Sequence, residues 1–452
     1  MRNNSEPSHF RTFVLSCLLF VPTLLSAQDS LFVREIIKEL SSPEMHGRSV
    51  AYEGDRKAAE YIRKVLTDLE IQSMGENYFQ AYSFPGFAME GKVSLAINNE
   101  QPLDPQEDYR IYPCSPSFDQ QNVPILQADP MILLDVAKRD KFIKKHADAL
   151  PHSLLYFDLT KVKAKDMRSM QSLLEMATTR LWIARNSAPF HCKGFLVGVA
   201  ELPVIGLSMT NYERNFVYVE VMASKISKSA KTVTLSYQNR FLHHKTQNVC
   251  GMVEGTLYPD SFLVFTAHYD HIGRMGDDVY FPGAHDNASG VATVLSLAHY
   301  FQRNRNPYTT VFCLFSGEEG GLRGANYFVE NPLISLDNIK MLVNFDMLCG
   351  GDDGLMMVNS REGRPKQFYD EIVAINEKEQ IVKEIKSRAN TSNSDHFPFT
   401  EKGVPALFVY TMGGQTGGYH SHTDTNENCG LSQWESIFKL VTHWIEQLTN
   451  VK

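Results

Sequence analysis

The sequence predicts an α/β fold, with a mixed, mostly parallel central sheet flanked by helices and an inserted β-rich domain. Three observations predict it. Short apolar runs, beginning with Ser261-Phe262-Leu263-Val264-Phe265-Thr266, alternate with helical segments; strands buried on both faces by crossover helices read this way. The stretch from 102 to 240 has a different texture, opening on Pro102, Pro105, Pro113 and Pro116 and carrying no cluster of reactive side chains. Acidic and imidazole residues fall just beyond the C-terminal end of the apolar runs, the edge at which open α/β sheets bind ligands.

The elements follow in order. Arg2 and Arg11 flank a polar start, an apolar stretch runs from Phe13 to Leu25, and Leu25-Ser26-Ala27 precedes a polar segment. This is the order of a secretory leader, too short for a comfortable membrane span, with cleavage expected after Ala27. Residues 31–40 and 55–70 read as helices; Ala58, Ala59, Ile62, Val65 and Leu66 recur at helical spacing. The polar turn Met45-His46-Gly47-Arg48 separates them. Residues 78–100 read as strands, with alternation through Lys92–Ile97. The inserted stretch holds short runs at Ile132–Leu134, Leu154–Phe157, Gly194–Val199 and Leu202–Leu207. Beyond 245, Thr309–Phe315, Met341–Phe345 and Ala406–Tyr410 are expected strands, and Ser289–Phe301 and Ser432–Leu448 expected helices. The expected domains are a leader at 1–27, an N-terminal part of the main domain at 28–101, the insert at 102–240, and the main α/β domain at 241–452.

With 452 residues, 43% of them hydrophobic and 21% charged, the chain can bury a sizeable core. A net charge of -8 without a long run of one sign excludes the basic footprint of a nucleic-acid binder. Removing the leader leaves Cys114, Cys192, Cys250, Cys313, Cys349 and Cys429. Six cysteines in so long a chain permit disulfides without forming a disulfide framework. Cys250 and Cys313 sit in apolar runs and read as buried thiols; no pairs are assigned.

Five segments at the strand ends carry chemistry. In Thr266-Ala267-His268-Tyr269-Asp270, residues two apart in extended chain point the same way. His268 then reads as a metal ligand and Asp270 as the carboxylate that orients its ring. In Pro282–Gly290, small residues let the chain pass tightly, and Asp286 could set its two oxygens between two metals while Asn287 or Ser289 caps the following helix. In Phe315–Gly321, one of Glu318 and Glu319 can bind metal while its neighbour acts as general base. Asp346 ends the next strand as a further ligand, and the Gly-rich loop after the last strand offers His420 and His422, of which at most one is a ligand. Nitrogen and oxygen donors in this mixture suit zinc, with cobalt or manganese as substitutes.

The segments AHYDHIG, PGAHDNASGVA, FSGEEGGLRGANYF, NFDM, SDHFPF and YHSHTDT resemble, in order and spacing, the zinc exopeptidases that include bacterial leucyl aminopeptidases, plasma glutamate carboxypeptidase and glutamate carboxypeptidase II. The resemblance covers about 240–452, and more loosely 31–75. The insert is weakly similar to the protease-associated domain of that family. The resemblance implies two Zn2+ per chain: His268, Asp286 and Asp346 on one, and Asp286, Glu319 and His420 on the other, with Asp286 bridging. It makes Glu318 the general base, selects His420 over His422, sets Asp270 behind His268, and gives Asp424 a supporting place. Asp395 and His396 match a motif near the substrate. Tyr280, Phe281, Met347, Phe397, Tyr410 and Met412 lie beside the motifs and would favour an apolar first residue if they line the site. His285 departs from the Asp or Asn common at its position, and it and His422 are expected to alter the surroundings of the metals or crowd the entrance.

The expected function is an exported aminopeptidase, periplasmic or secreted from a bacterium, acting on peptides, with no stable membrane association after leader cleavage and no nucleic-acid partner. The rival readings are a glutaminyl cyclase on the same scaffold and a non-catalytic binding protein.

Overall fold

The computed structural model describes residues 21–133, 135–162, 190–202 and 213–449, with side chains from residue 30 onward. The first twenty residues of the expected leader, Leu134 and nearly all of the 202–207 run lie outside the described residues. In chain order the principal elements are α1 (Val21–Leu40), α2 (Gly54–Asp68), β1 (Gln72–Ser73), β2 (Phe79–Ile97), β3 (Tyr109–Ile111), β4 (Phe118–Ala128), α3 (Val136–Lys145), β5 (Leu154–Asp158), β6 (Gly194–Val199), β7 (Val217–Met222), β8 (Thr232–Val253) and β9 (Tyr258–His268). There follow β10 (Arg274–Met275), β11 (Val279–Tyr280), α4 (Ser289–Arg303), β12 (Tyr308–Phe315), α5 (Arg323–Glu330), β13 (Ile339–Phe345), β14 (Gly354–Val358), α6 (Gly363–Glu379), β15 (Ile385–Arg388), α7 (His396–Glu401), β16 (Ala406–Met412) and α8 (Trp434–Thr449). No described helix is long and apolar enough to cross a membrane.

One sheet takes the order β15-β14-β16-β13-β9-β12-β8-β4-β5-β6-β7-β3. β16, β13, β9 and β12 are mutually parallel neighbours, so their C-terminal ends share one edge. Both faces of this block are covered, as its continuous apolar runs require. Leu263, Phe265 and Ala267 of β9, with Phe312 and Leu314 of β12, face the core formed with α1, α2, α4, α6 and α8. Val264, Val311, Cys313 and Phe315 face the opposite core, with Phe328 of α5 and Phe399 of α7.

β2 and β8 pair antiparallel from Phe79 opposite Val249 to Ile97 opposite Val233. This ribbon carries the sheet from the block at β12 out to the strands of the insert, where β4, β5, β6 and β7 run parallel. β8 passes through position 240, so the expected boundary there falls within one continuous strand. Its length escapes a sequence reading because its burial alternates through polar residues such as Thr234, Ser236, Asn239 and Lys245.

The turn Met45–Arg48 ties the N-terminal segment to the sheet edge. Arg48 is fully buried. Its guanidinium donates five hydrogen bonds, to the carbonyls of Tyr269, Leu40, Pro282, Gly283 and Asp286, at 2.6, 2.7, 2.5, 2.8 and 3.2 Å. Gly47 must be glycine here: its φ is +67°, and a Cβ would lie 2.1 Å from the Gly273 carbonyl oxygen. Replacing Arg48 with Met removes all five donors and leaves buried carbonyls unpaired, each costing about 1–3 kcal/mol before relaxation. Urea unfolding of Arg48→Met should show a stability loss of at least about 3 kcal/mol; a loss below about 1 kcal/mol would mean that the carbonyls find other donors.

Candidate metal centre

Five loops bring the site together at the shared edge of β9, β12, β13 and β16. β9 ends on His268, and the Tyr269 amide still bonds to the Phe315 carbonyl of β12. Asp270 itself lies just beyond the strand. Its carboxylate accepts the backbone N–H groups of Glu318 at 3.1 Å and Glu319 at 3.3 Å, and lies 3.7 Å from His268 Nδ1. It fixes the loop that presents the glutamate pair while remaining beside the His268 ring.

The segment Ala284–Ala288 enters α4 tightly. A Cβ on Gly290 would lie 2.3 Å from Asn287 Oδ1 and 2.4 Å from the Phe345 carbonyl oxygen. Asn287 Oδ1 accepts the N–H of Gly290 at 2.9 Å, and its amide donates to the Phe345 carbonyl. The capping work thus falls to Asn287, and Asp286 is free for the site. Asp424 holds this segment from the far side, accepting the N–H groups of His285 at 2.7 Å and Asp286 at 3.1 Å. Burial pushes the Asp424 carboxyl up to about 7, against those two hydrogen bonds.

Asp286 divides its oxygens. Oδ1 is 3.3 Å from His268 Nε2, which is also 3.3 Å from Asp346 Oδ1. Oδ2 is 3.0 Å from His420 Nε2, which is 3.1 Å from Glu319 Oε2. Two groups result whose donor atoms lie within 4.8 Å of one another: His268, Glu318 and Asp346, and His271, Asp286, Glu319 and His420. Donors held at about 2.0–2.2 Å by one tetrahedral zinc lie about 3.3–3.6 Å apart; the spacings around His268 meet this, and those around His420 are 0.2–0.3 Å shorter than its lower end. The protonation preferences follow from the same close contacts. Burial lowers the basicity of His420, yet Asp286 and Glu319 hold it up at about 10. Burial raises Asp286, but hydrogen bonds with His268 and His420 bring it well below the usual carboxylate range. Burial among Glu319, Asp395 and Asp346 lifts Glu318 well above that range, with His268 opposing.

Residues behind the centre aim its ligands. Thr266 donates to Asn344 Oδ1, Asn344 Nδ2 to Ser394 Oγ, and Ser394 Oγ to Asp346 Oδ2, at 2.8, 2.7 and 2.7 Å, all buried. Ser394 stands inside SDHFPF, yet only the packing of α7 against β13 gives it this role. Asp395 is fully buried; burial, reinforced by Asp270 and Asp346 and opposed by His268, pushes it up to about 8. His396 turns elsewhere: Nε2 is 3.1 Å from Asn390 Oδ1, the ring lies beside Phe408, and burial lowers it to about 3. The Tyr410 hydroxyl faces Arg388. Tyr280 lies in the β10–β11 hairpin opposite Arg274. Phe281 lines a small cleft with Phe87, Met89, Ile111, Ile272 and Met275, and with the polar Ser49, Asn239 and Arg274.

His285 does not crowd the entrance. It is buried, and its Nδ1 accepts the Cys349 N–H at 3.2 Å. His422 leaves the centre and approaches Glu107 of the insert at 3.4 Å. Cys349 and Cys429 form a disulfide, while Cys250 and Cys313 are free and buried. His271 is the residue that the sequence reading passed over. It stands within AHYDHIG, but it lies beyond the end of β9, in irregular chain that no strand periodicity describes.

Comparison with known proteins gives this geometry a family. Residues 248–445 match the model described as peptidase family M28. A vacuolar membrane protease of Schizophyllum commune is 34% identical over 119 residues, 26% of this chain and 12% of that protein. Aminopeptidase YwaD of Bacillus subtilis is 26% identical over 212 residues, 45% of this chain and 44% of that protein. The chain thus spans less than half the length of either relative. The solved structure of a zinc aminopeptidase from Bacillus subtilis shares the fold, with a TM-score of 0.65 at 17% identity over 94% of this chain and 96% of its own. The sheet-edge histidines and carboxylates all fall inside residues 248–445, the segment that matches as a peptidase family M28 domain.

Proposed function

We propose that this chain is an exported zinc exopeptidase with two metal ions, an aminopeptidase that hydrolyses the N-terminal peptide bond of peptides. The division of Asp286 carries the reading: one carboxylate faces both halves of the centre. His268, Asp286 and Asp346 would hold one zinc, and Asp286, Glu319 and His420 the other. Bound zinc supplies a Lewis acid for the scissile carbonyl and lowers the pKa of a bound water. Glu318, held by the bonds of its loop to Asp270, takes the proton of the attacking water and delivers it to the leaving amine. The cleft at Phe281, whose lining residue Ile272 follows His271 in sequence, is mostly apolar and supports an apolar first residue in the substrate. The contact of His422 with Glu107 supports a role for the insert, residues 102–240, as a unit that shapes the entrance. Export draws support from the leader-like order of residues 1–27 and from the Cys349–Cys429 disulfide, which suits an oxidising compartment.

Hydrolysis of leucyl-, lysyl- and glutamyl-p-nitroanilides by the purified protein tests this reading, with the leucyl compound expected to turn over fastest. Preference for the glutamyl compound would reject the apolar cleft as the specificity element. Chelation should abolish hydrolysis and added zinc restore it; hydrolysis that survives complete metal removal sinks the mechanism. Glu318→Gln should lower kcat by about 10²–10⁴-fold while zinc content stays unchanged. A variant that keeps more than about a tenth of wild-type kcat would move the general base to another residue.

A further inference from the structure

The two halves of the centre are unequal, and His271 makes them so. We infer that His271 is a third histidine ligand, which binds through Nδ1 the metal held by Asp286, Glu319 and His420. The inference rests on the two-metal reading above. His271 Nδ1 lies 2.9 Å from Glu319 Oε1 and 4.0 Å from Asp286 Oδ2. His420 Nε2 addresses the same two carboxylates, at 3.1 and 3.0 Å. The two imidazoles thus converge on one volume from different sides, with ring centroids 5.5 Å apart and planes at 75°. The donor atoms of all four residues lie within 4.8 Å of one another.

The position of the ring is set by backbone. The His271 N–H donates to the Arg48 carbonyl at 3.2 Å, and the Gly273 N–H donates to the Gly47 carbonyl at 3.0 Å. The ring is fully buried, and its Nε2 has no hydrogen-bond partner among the described residues. A side chain anchored in this way is presented to Glu319 and Asp286 through Nδ1 alone.

The consequence is an asymmetric pair. One position has a single imidazole with Asp286 and Asp346. The other has two imidazoles with Asp286 and Glu319. Nitrogen donors favour zinc over manganese and other oxygen-seeking ions, so the His271 position retains zinc while the His268 position exchanges more readily. A role confined to holding Glu319 by a hydrogen bond would leave the two positions alike in nitrogen count.

Zinc K-edge absorption on the fully loaded protein separates these cases, because it counts imidazoles. Three imidazoles shared by two zinc ions are expected in the wild type, and two in both His271→Ala and His271→Asn. The dissociation constant of the tighter zinc should rise more than about 100-fold in both variants, beyond the 10–100-fold that follows loss of a residue merely supporting a ligand. The Asn side chain can still donate to Glu319, so recovery of wild-type zinc affinity in His271→Asn would assign a positioning role and overturn the inference. A wild-type protein with two zinc ions and only two imidazoles overturns it as well, whether or not the variants fold. A protein that binds no zinc and cleaves no peptide fails the reading on which the inference stands, a distinct outcome.

Discussion

Six carboxylates crowded at one sheet edge are the constraint on which the rest of the structure depends. Asp270, Asp286, Glu318, Glu319, Asp346 and Asp395 influence one another's protonation across this small region. An ionised carboxylate withdrawn from water is costly unless it is paired or coordinates a metal. Arg48 is a nearby buried cation, but its five donors are spent on carbonyls and touch none of the six. The remaining compensation comes from imidazoles and backbone N–H groups, and from metal where the donor set holds it.

The way each carboxylate is satisfied assigns its work. Asp270 takes two backbone amides and so becomes part of the loop that bears Glu318 and Glu319. Asp424 takes two more and holds the backbone of Asp286 from outside the centre, while Arg48 pulls on the Asp286 carbonyl from the N-terminal segment. Asp346 is aimed by Ser394 at the end of a buried chain of hydroxyl and amide groups reaching back to Thr266. Such fixing of ligands before binding is what gives a metal site its geometry. It also explains why the centre draws on the N-terminal turn and the C-terminal loop as well as on the strands between them.

Much of this was legible in the sequence because the signals are local. Strands β9, β12, β13 and β16 announce themselves as apolar runs, and the residue that ends each run, or the loop after it, carries His268, Glu318 and Glu319, Asp346 and His420. What was not legible depends on long-range geometry. The 22 residues of β8 are mostly polar-alternating, and pairing with β1, β2, β4 and β12 makes them a strand. His396 and Tyr410 are adjacent to the motifs in sequence but turn toward Asn390 and Arg388. His271 lies in irregular chain beyond β9, where its backbone is held by the Arg48 carbonyl, 223 positions earlier in the chain, and by no periodicity of its own.

The Cys349–Cys429 bridge extends the same logic to the loops that flank the centre. Cys349 lies three residues beyond Asp346, and Cys429 nine beyond His420, so the bond joins the loops that follow a residue from each half of the site. The Cys349 N–H also donates to His285, next to Asp286, which links the bridge to the shared carboxylate. A cross-link that spans 80 residues of sequence removes chain entropy from the unfolded state worth about 4 kcal/mol in the chain-entropy account. Its place matters as much as its size. Carboxylates that repel one another would favour separation of these loops whenever metal is absent. A covalent tie there opposes that separation without adding charge to the centre. An exported protein can keep such a tie, whereas a reducing compartment would work against it.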